Sequence, residues 1–409
     1  MTPDIRQIVA GDLPAYIDVL STGFLERPDV ARVAAGIEEL WDLERTWAAF
    51  DGSRICGTFR SWATEVTVPG GARLPASAVA AVTVLPTHRR RGILRAMAAA
   101  EHAAIRERGE SVAVLYASEY PIYGRFGYGS ACREATWSID AGRTAFFGNP
   151  TGAIEIAPPS TAARDAVKGV FDAWRLRQAG EIRRREFSWD FDLGLREEFW
   201  GDGWKGFLVL HRDASGSVDG YARYHVEQKW EQRQPANTLV VDELHGLDDA
   251  ATASLWRYVA DVDWITTVKA ARRSPADRLP WLLTNARAAV LSEVGDGMWL
   301  RLFDVPRALE ARTYERPANL VLDVVDSGAI GGRYRLALDA GPDGATCRAT
   351  DRSADLTVDV SALGAVYLGG RRLRDAVVPA GFDEHRAGAL AEADGLFRTL
   401  DEPWTSTFF

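Results

Sequence analysis

The stretch Val82-Thr83-Val84-Leu85-Pro86-Thr87-His88-Arg89-Arg90-Arg91-Gly92-Ile93-Leu94 constrains the fold more than any other part of the chain. It overlaps the Val-rich apolar run Ala76–Leu85, which reads as a buried central strand stopped by Pro86. It leads into Gly92–Glu107, where Ile93, Leu94, Met97, Ala98, His102 and Ile105 recur at helical spacing and Gly109 fits a C-terminal cap. Strand, basic loop and helix in this order set unpaired N–H groups and the positive end of a helix dipole beside three arginines. That is an anion site, and it suits a phosphorylated ligand. Gly92 has no Cβ, so a pyrophosphate can approach its backbone closely. The competing reading, an arginine run on a solvated loop, is disfavoured by the strand and helix on either side.

The rest of the chain repeats the alternation of strand and helix. Thr46–Phe50 and Ile55–Val68 read as strands joined at Asp51-Gly52, and Val112–Ser118 and Ala135–Ile139 as further strands. Gly142 to Thr161, rich in Gly and Pro, reads as a linker. Beyond it, strands are predicted at Gly206–His211, Asp219–Trp230, Thr238–His245, Trp264–Lys269 and Met298–Phe303, with a helix at Asp248–Val259. This order matches the first segment, which points to a duplicated α/β unit. A third segment opens near Pro306, with strands at Ala318–Val325, Gly332–Asp339, Thr346–Thr350 and Ala354–Val360. Helical stretches follow at Ser361–Tyr367, Gly370–Asp375 and His385–Leu396. With 409 residues, three domains are expected: 1–145, 146–304 and 305–409.

Charge and cysteines exclude several classes of function. Lys and Arg total 48 against 57 Asp and Glu, a net charge of −9, so a duplex nucleic-acid binder is disfavoured and a cationic substrate is compatible. Cys56, Cys132 and Cys347 lie far apart and form no CxxC pair, which argues against a disulfide framework and a thiolate zinc site; no metal is expected. No basic-then-apolar leader opens the chain, and no run of about 18 apolar residues spans a membrane. The default expectation is a cytoplasmic protein.

At Arg89-x-x-Gly92-x-Leu94 the sequence resembles the GNAT acetyltransferases, whose Arg/Gln-x-x-Gly-x-Gly/Ala signature binds the pyrophosphate of coenzyme A. Leu94 stands where that family has a small residue. The likeness extends to the enhanced intracellular survival (Eis) aminoglycoside acetyltransferases. It runs through Val82–Gly92, Leu94-Arg95-Ala96-Met97 and Ile122-Tyr123-Gly124-Arg125-Phe126-Gly127-Tyr128-Gly129. Trp299-Leu300-Arg301, Val305-Pro306-x-Ala308-Leu309-Glu310-Ala311-Arg312, Tyr367-Leu368-Gly369 and the terminal Phe complete it. The resemblance implies two tandem GNAT-like mixed-sheet domains, the second without the cofactor motif, and a C-terminal sterol-carrier-like α+β domain. It also implies acetyl-CoA as co-substrate and a homohexamer. Val82, Thr83 and Val84 would then pair with the pantetheine arm, Arg89, Arg90, Arg91, Gly92, Ile93, Leu94 and Arg95 would hold the phosphates, and Ser118 and Glu119 would line the opposite wall.

Acyl transfer to an amine requires a base for the amine and a proton for the leaving thiolate. Spacing alone leaves Tyr120, Tyr123 and Tyr128 open as the acid; the resemblance selects Tyr123, a phenol with an ordinary pKa near 10. It also makes the C-terminal carboxylate, here that of Phe409, the base. Phe408-Phe409 after Trp404 is an apolar end that burial would hold in place. Phe24 and Glu26 match the family's amine-pocket positions, and Trp41 and Trp204 are further candidate walls. Arg183-Arg184-Arg185 reads as a solvated helix face, and His102 as a packed surface histidine. The predicted function is acetyl transfer to a primary amine of a small molecule or peptide, a cationic one such as an aminoglycoside. The alternative is a non-enzymatic lipid-binding or assembly protein built on the third domain, and a longer acyl-CoA donor is a further option at Ala81.

Overall fold

The computed structural model describes residues 3–328 and 331–409. Its architecture is mixed α/β: two seven-stranded mixed sheets and a five-stranded one, each covered by helices. The first sheet has the spatial order Asp4–Gln7, Thr46–Asp51, Arg54–Thr67, Arg73–Val84, Val112–Tyr116, Met298–Leu302, Gly129–Ser130. Its centre is a parallel pair, Ala76–Val79 beside Val112–Leu115. Alternate residues of Val112–Leu115 feed two cores. Ala113 and Leu115 pack under the helix Ile93–Glu107, while Val112 and Val114 join the core of the third domain. Burial on both faces explains why this strand is apolar throughout.

The second sheet runs Ala289–Asp296, Arg133–Asp140, Ile265–Arg273, Asn237–Gly246, Val218–Glu227, Phe207–Arg212, Ala153–Ala157. The two units therefore exchange strands. Arg133–Asp140, expected in the first unit, lies in the second sheet, and Met298–Leu302, expected to close the second unit, lies in the first. The reason is geometric: Gly129–Ser130 pairs with Met298–Leu302, and the chain then turns at Ala131 and Cys132 to cross into the neighbouring sheet. The expected linker also differs, because Ala153–Ala157 is the edge strand of the second sheet. The helix Thr161–Arg175 follows it, with Ser160 accepting from the Ala163 N–H as its cap.

The third sheet runs Gly344–Ala349, Gly332–Gly341, Ala318–Asp326, Leu356–Asp359, Phe382–Glu384. Its helix Val360–Val366 sits directly on the first sheet. A Cβ at Gly129 would come within 2.4 Å of the Ala365 nitrogen, so glycine is what permits this approach. No helix among the described residues is long and apolar enough to cross a membrane.

Candidate active site

The parallel register stops at Val79 opposite Leu115, so the remainder of Arg73–Val84 diverges from Val112–Tyr116. On the other edge, Arg60 opposes Ala80 and Thr58 opposes Thr83, so a bulge falls between them. Ala81 there takes a left-handed φ of 54° and its carbonyl accepts from Thr58 Oγ1 at 2.8 Å. The divergence opens a cleft of about 660 Å³.

Val82, Thr83, Val84, Arg89, Arg90, Gly92, Ile93, Leu94, Arg95, Ser118, Glu119 and Tyr123 all line this cleft. Gly92 caps the helix Ile93–Glu107 at φ +79°, a backbone that side-chain-bearing residues rarely adopt, and no side chain satisfies the first N–H groups. Arg89 donates to the Val84 carbonyl (3.3 Å), which fixes the turn. Among the described residues Arg89, Arg90 and Arg95 have no carboxylate partner, so their charge is available to an anion. An uncapped helix start, free guanidiniums and an exposed strand edge are the donor set that a phosphorylated pantetheine thiol fits.

One expected cofactor residue lies elsewhere. Arg91 is not among the residues that line the cleft, and its charge acts on Cys56. Arg90, between Arg89 and Arg91, takes a left-handed φ of 65°.

Tyr123 is 8% exposed, and its phenol is pushed up to about 12 by burial and then by Glu119. Tyr128 is buried outside the lining, and Tyr120 is exposed and packed on Trp299. Geometry therefore separates three tyrosines that spacing left equivalent.

Phe24 is shared with a second cavity of about 230 Å³ that also holds Glu26, Trp41, Arg60, Trp62, Ala80, Ala81, Arg185, Trp200 and Phe409. That cavity shares Trp41, Trp62, Arg185, Trp200 and Phe409 with a third, of about 440 Å³, reaching the second unit. The Phe409 ring packs edge-on against Trp62 (5.0 Å between centres) and Tyr116 (5.3 Å). The chain end is held there residue by residue. Trp404 donates from its backbone to the Ala179 carbonyl and from its ring to the Arg272 carbonyl, both at 2.9 Å. The buried Glu181 carboxylate accepts from the Thr405 hydroxyl (2.9 Å), the Ser406 N–H (2.7 Å) and the Ser406 hydroxyl (2.9 Å). Arg184 donates to Thr407 Oγ1 (2.9 Å), and the Tyr116 hydroxyl to the Thr407 carbonyl (3.0 Å).

Arg183-Arg184-Arg185 is not a solvated helix face. It precedes the helix Glu186–Asp192, and Arg184 and Arg185 are drawn into the cavity wall. Arg184 is ion-paired with Glu243 and Asp192. Burial pushes the Glu243 carboxyl up, but Arg184 and His245 outweigh it and hold it well below the usual carboxylate range. Trp204 is no wall of these cavities; its ring N–H bonds Asp242 at 2.8 Å. His102 is buried rather than at the surface, between Tyr128 and Phe303. Sequence reasoning missed Arg60, Trp62, Tyr116, Glu181 and Trp200. The one available signal was Arg60, a charge in the middle of an otherwise apolar strand.

With this geometry in place, comparisons with known proteins settle the family. Residues 4–131 and 180–302 each match an acetyltransferase (GNAT) domain, and 305–406 a sterol carrier protein domain. The N-acetyltransferase Eis of Mycobacterium tuberculosis is 35% identical over 359 residues, covering 86% of this chain and 81% of the relative. The chain is a member of the Eis-like GNAT family. It is an N-acetyltransferase. An uncharacterized N-acetyltransferase of Streptomyces griseus is 42% identical over the full length of both chains. The crystal structure of Eis1 from Mycobacterium abscessus superposes with a TM-score of 0.86 at 33% identity, covering 100% of both chains. As in other GNAT proteins, the fold implies acetyl-CoA as co-substrate, and the acetyltransferase matches replace the expectation of a non-enzymatic protein.

Proposed function

We propose that this GNAT protein transfers the acetyl group of acetyl-CoA to a primary amine, with Tyr123 as general acid and the Phe409 carboxylate as general base. The observation that carries the reading is the junction at Phe24, where the cleft lined by Arg89–Arg95 and Tyr123 meets the cavity that holds the chain end. Bound acetyl-CoA supplies the activated thioester. The chain's own groups do the rest. The uncapped helix start and Arg89, Arg90 and Arg95 hold the phosphates, and the strand edge at Val82–Val84 orients the arm. The Phe409 carboxylate takes a proton from the acceptor ammonium, the Tyr123 hydroxyl gives one to the sulfur as the N–C bond forms and the C–S bond breaks, and the acylated nitrogen passes its surplus proton to the Tyr123 phenolate. A phenol raised above its ordinary value keeps its proton at neutral pH, as a donor must. Only the first unit binds the cofactor in this reading. The second unit's helix Asp249–Ala260 opens with Asp248 capping it through the Ala251 N–H, and its acidic first turn repels a phosphate.

The acceptor side offers a cation the carboxylates of Glu26 and Phe409 and the ring of Trp200. This supports an amine acceptor, with aminoglycosides, polyamines and lysine side chains as the classes to test. A hexamer, by analogy with the family, and a cytoplasmic location complete the proposal. The test is thiol release from acetyl-CoA with a panel of such amines. Amine-dependent release is expected; no release with any amine, together with no coenzyme A binding, would overturn the reading.

A further inference from the structure

Two guanidiniums in the wall of the acceptor cavity have no hydrogen-bond or ion-pair partner among the described residues. Arg60, midway along Arg54–Thr67, is 4% exposed, and its Nε is buried without a hydrogen bond. Its guanidinium lies 4.1 Å from the Trp41 ring centre and 5.2 Å from that of Trp62. Arg185 also lies over Trp62, at 4.3 Å, and over Phe187, at 4.5 Å; its Nη1 is buried without a partner. Neither forms an ion pair among the described residues. Burial first, and then the charge of Arg185, bring Arg60 down to about 9, against a smaller opposing pull from Tyr16 and from Asp42, which is ion-paired with Arg45; burial brings Arg185 down to about 10.

The neighbouring charges are already committed. Arg184 and Arg223 face Glu243 and Asp192. Asp242 accepts from the Trp204 ring and contacts His225, and Glu198 accepts the N–H groups of Phe199 and Trp200. The carboxylates that remain beside the 230 Å³ cavity are those of Glu26, exposed at its rim, and of the chain end. Neither is ion-paired with Arg60 or Arg185 among the described residues. Stacking on tryptophan offsets only part of the cost of burying two like charges. A bound anion between them offsets the rest, and two guanidiniums are a strong receptor for a planar or tetrahedral oxyanion.

We propose that the acceptor is an amine that also carries an anionic group, a carboxylate or a phosphate, held by Arg60 and Arg185 while the amine is presented at Phe24 to the cofactor cleft. This rests on the amine-acetyltransferase reading above and changes its acceptor from a polycation to a zwitterion. Glu26 and the chain end face the ammonium, and the arginines face the anion. A polycation would place like charge against both guanidiniums.

The test is thiol release by the full chain with matched pairs of acceptors: 6-aminohexanoate against hexylamine, O-phosphoethanolamine against ethanolamine, and an aminoglycoside as the polycation. The anionic member is expected to have a kcat/KM about tenfold to a hundredfold higher, which is the worth of a charge-assisted hydrogen bond. The pair with the larger ratio identifies carboxylate or phosphate. Arg185→Gln is expected to collapse the ratio mainly through KM, and Arg185→Lys to restore part of it. Arg60→Gln is a second variant, and if it fails to fold, the wild-type ratios and the Arg185 variants still decide. Ratios of one or below, or the aminoglycoside as best acceptor, would overturn this inference and leave the acetyltransferase reading intact. No release with any acceptor would overturn that reading, and this inference with it.

Discussion

Burial and Glu119 hold the Tyr123 phenol at about 12, so its protonated form persists to higher pH than in a free tyrosine. The expected kcat profile therefore has no alkaline limb from this group below about pH 11. A fall with a midpoint near 10 would show an unperturbed phenol instead. Tyr123→Phe is expected to lower kcat by roughly 10²- to 10⁴-fold with acetyl-CoA affinity retained, and full kcat in steady-state assays would reject the assignment. Glu243 is a different kind of residue, because its partner Arg184 is buried with it. Glu243→Gln leaves that guanidinium with Asp192 as its one carboxylate and is expected to cost about 1–3 kcal/mol in urea unfolding; a loss under about 0.5 kcal/mol would mean that Asp192 alone compensates it. The arginine triplet shows what single residues conceal in a sequence. Arg184 is neutralised by Glu243, 59 residues away, and Arg185 is sheltered by Trp62, 123 residues before it; neither neighbour is visible in a local window.

Among the elements, the chain end 402–409 owes its place to Glu181. That carboxylate accepts three hydrogen bonds from Thr405 and Ser406. Glu181→Gln is expected to loosen the end and lower kcat by about tenfold or more, since hydrogen bonds to a charged group are worth about 1.5–3 kcal/mol, while acetyl-CoA affinity stays the same. An unchanged kcat would separate the tail from the chemistry. The central elements were legible in the sequence because their signals are local. The apolar run ending at Pro86 and the helix after Gly92 lie within a few residues of the predicted spans, at Arg73–Val84 and Ile93–Glu107. The helix Thr161–Arg175 was equally readable, from Ser160 as cap and Ala163, Val167, Val170 and Phe171 on one face, but Gly and Pro upstream masked it. Short edge strands such as Ala153–Ala157 carry too few residues for a period to show. Strand exchange was not legible at all, because periodicity identifies a strand without naming its partner.

At the scale of the molecule, that exchange makes the first two units interdependent. Met298–Leu302 lies between Val112–Tyr116 and Gly129–Ser130, and one continuous core joins Trp62, Val114 and Leu300 to Leu322, Val358 and Phe397 of the third domain. A fragment ending at residue 145 keeps the cofactor motif but lacks an interior strand of its sheet. It is expected to show no cooperative thermal transition by circular dichroism, and a sharp transition would contradict this dependence. The same interdependence explains how the last residue of the chain reaches a cavity built mainly by the first two units. The measurement that tests the central claim most directly adds one glycine after Phe409. The extension moves the terminal carboxylate off Phe409, whose ring packs on Trp62 and Tyr116, while leaving the cleft at Arg89–Gly92 untouched. The account predicts loss of amine-dependent thiol release with acetyl-CoA affinity retained. Unchanged turnover in the extended protein would contradict it.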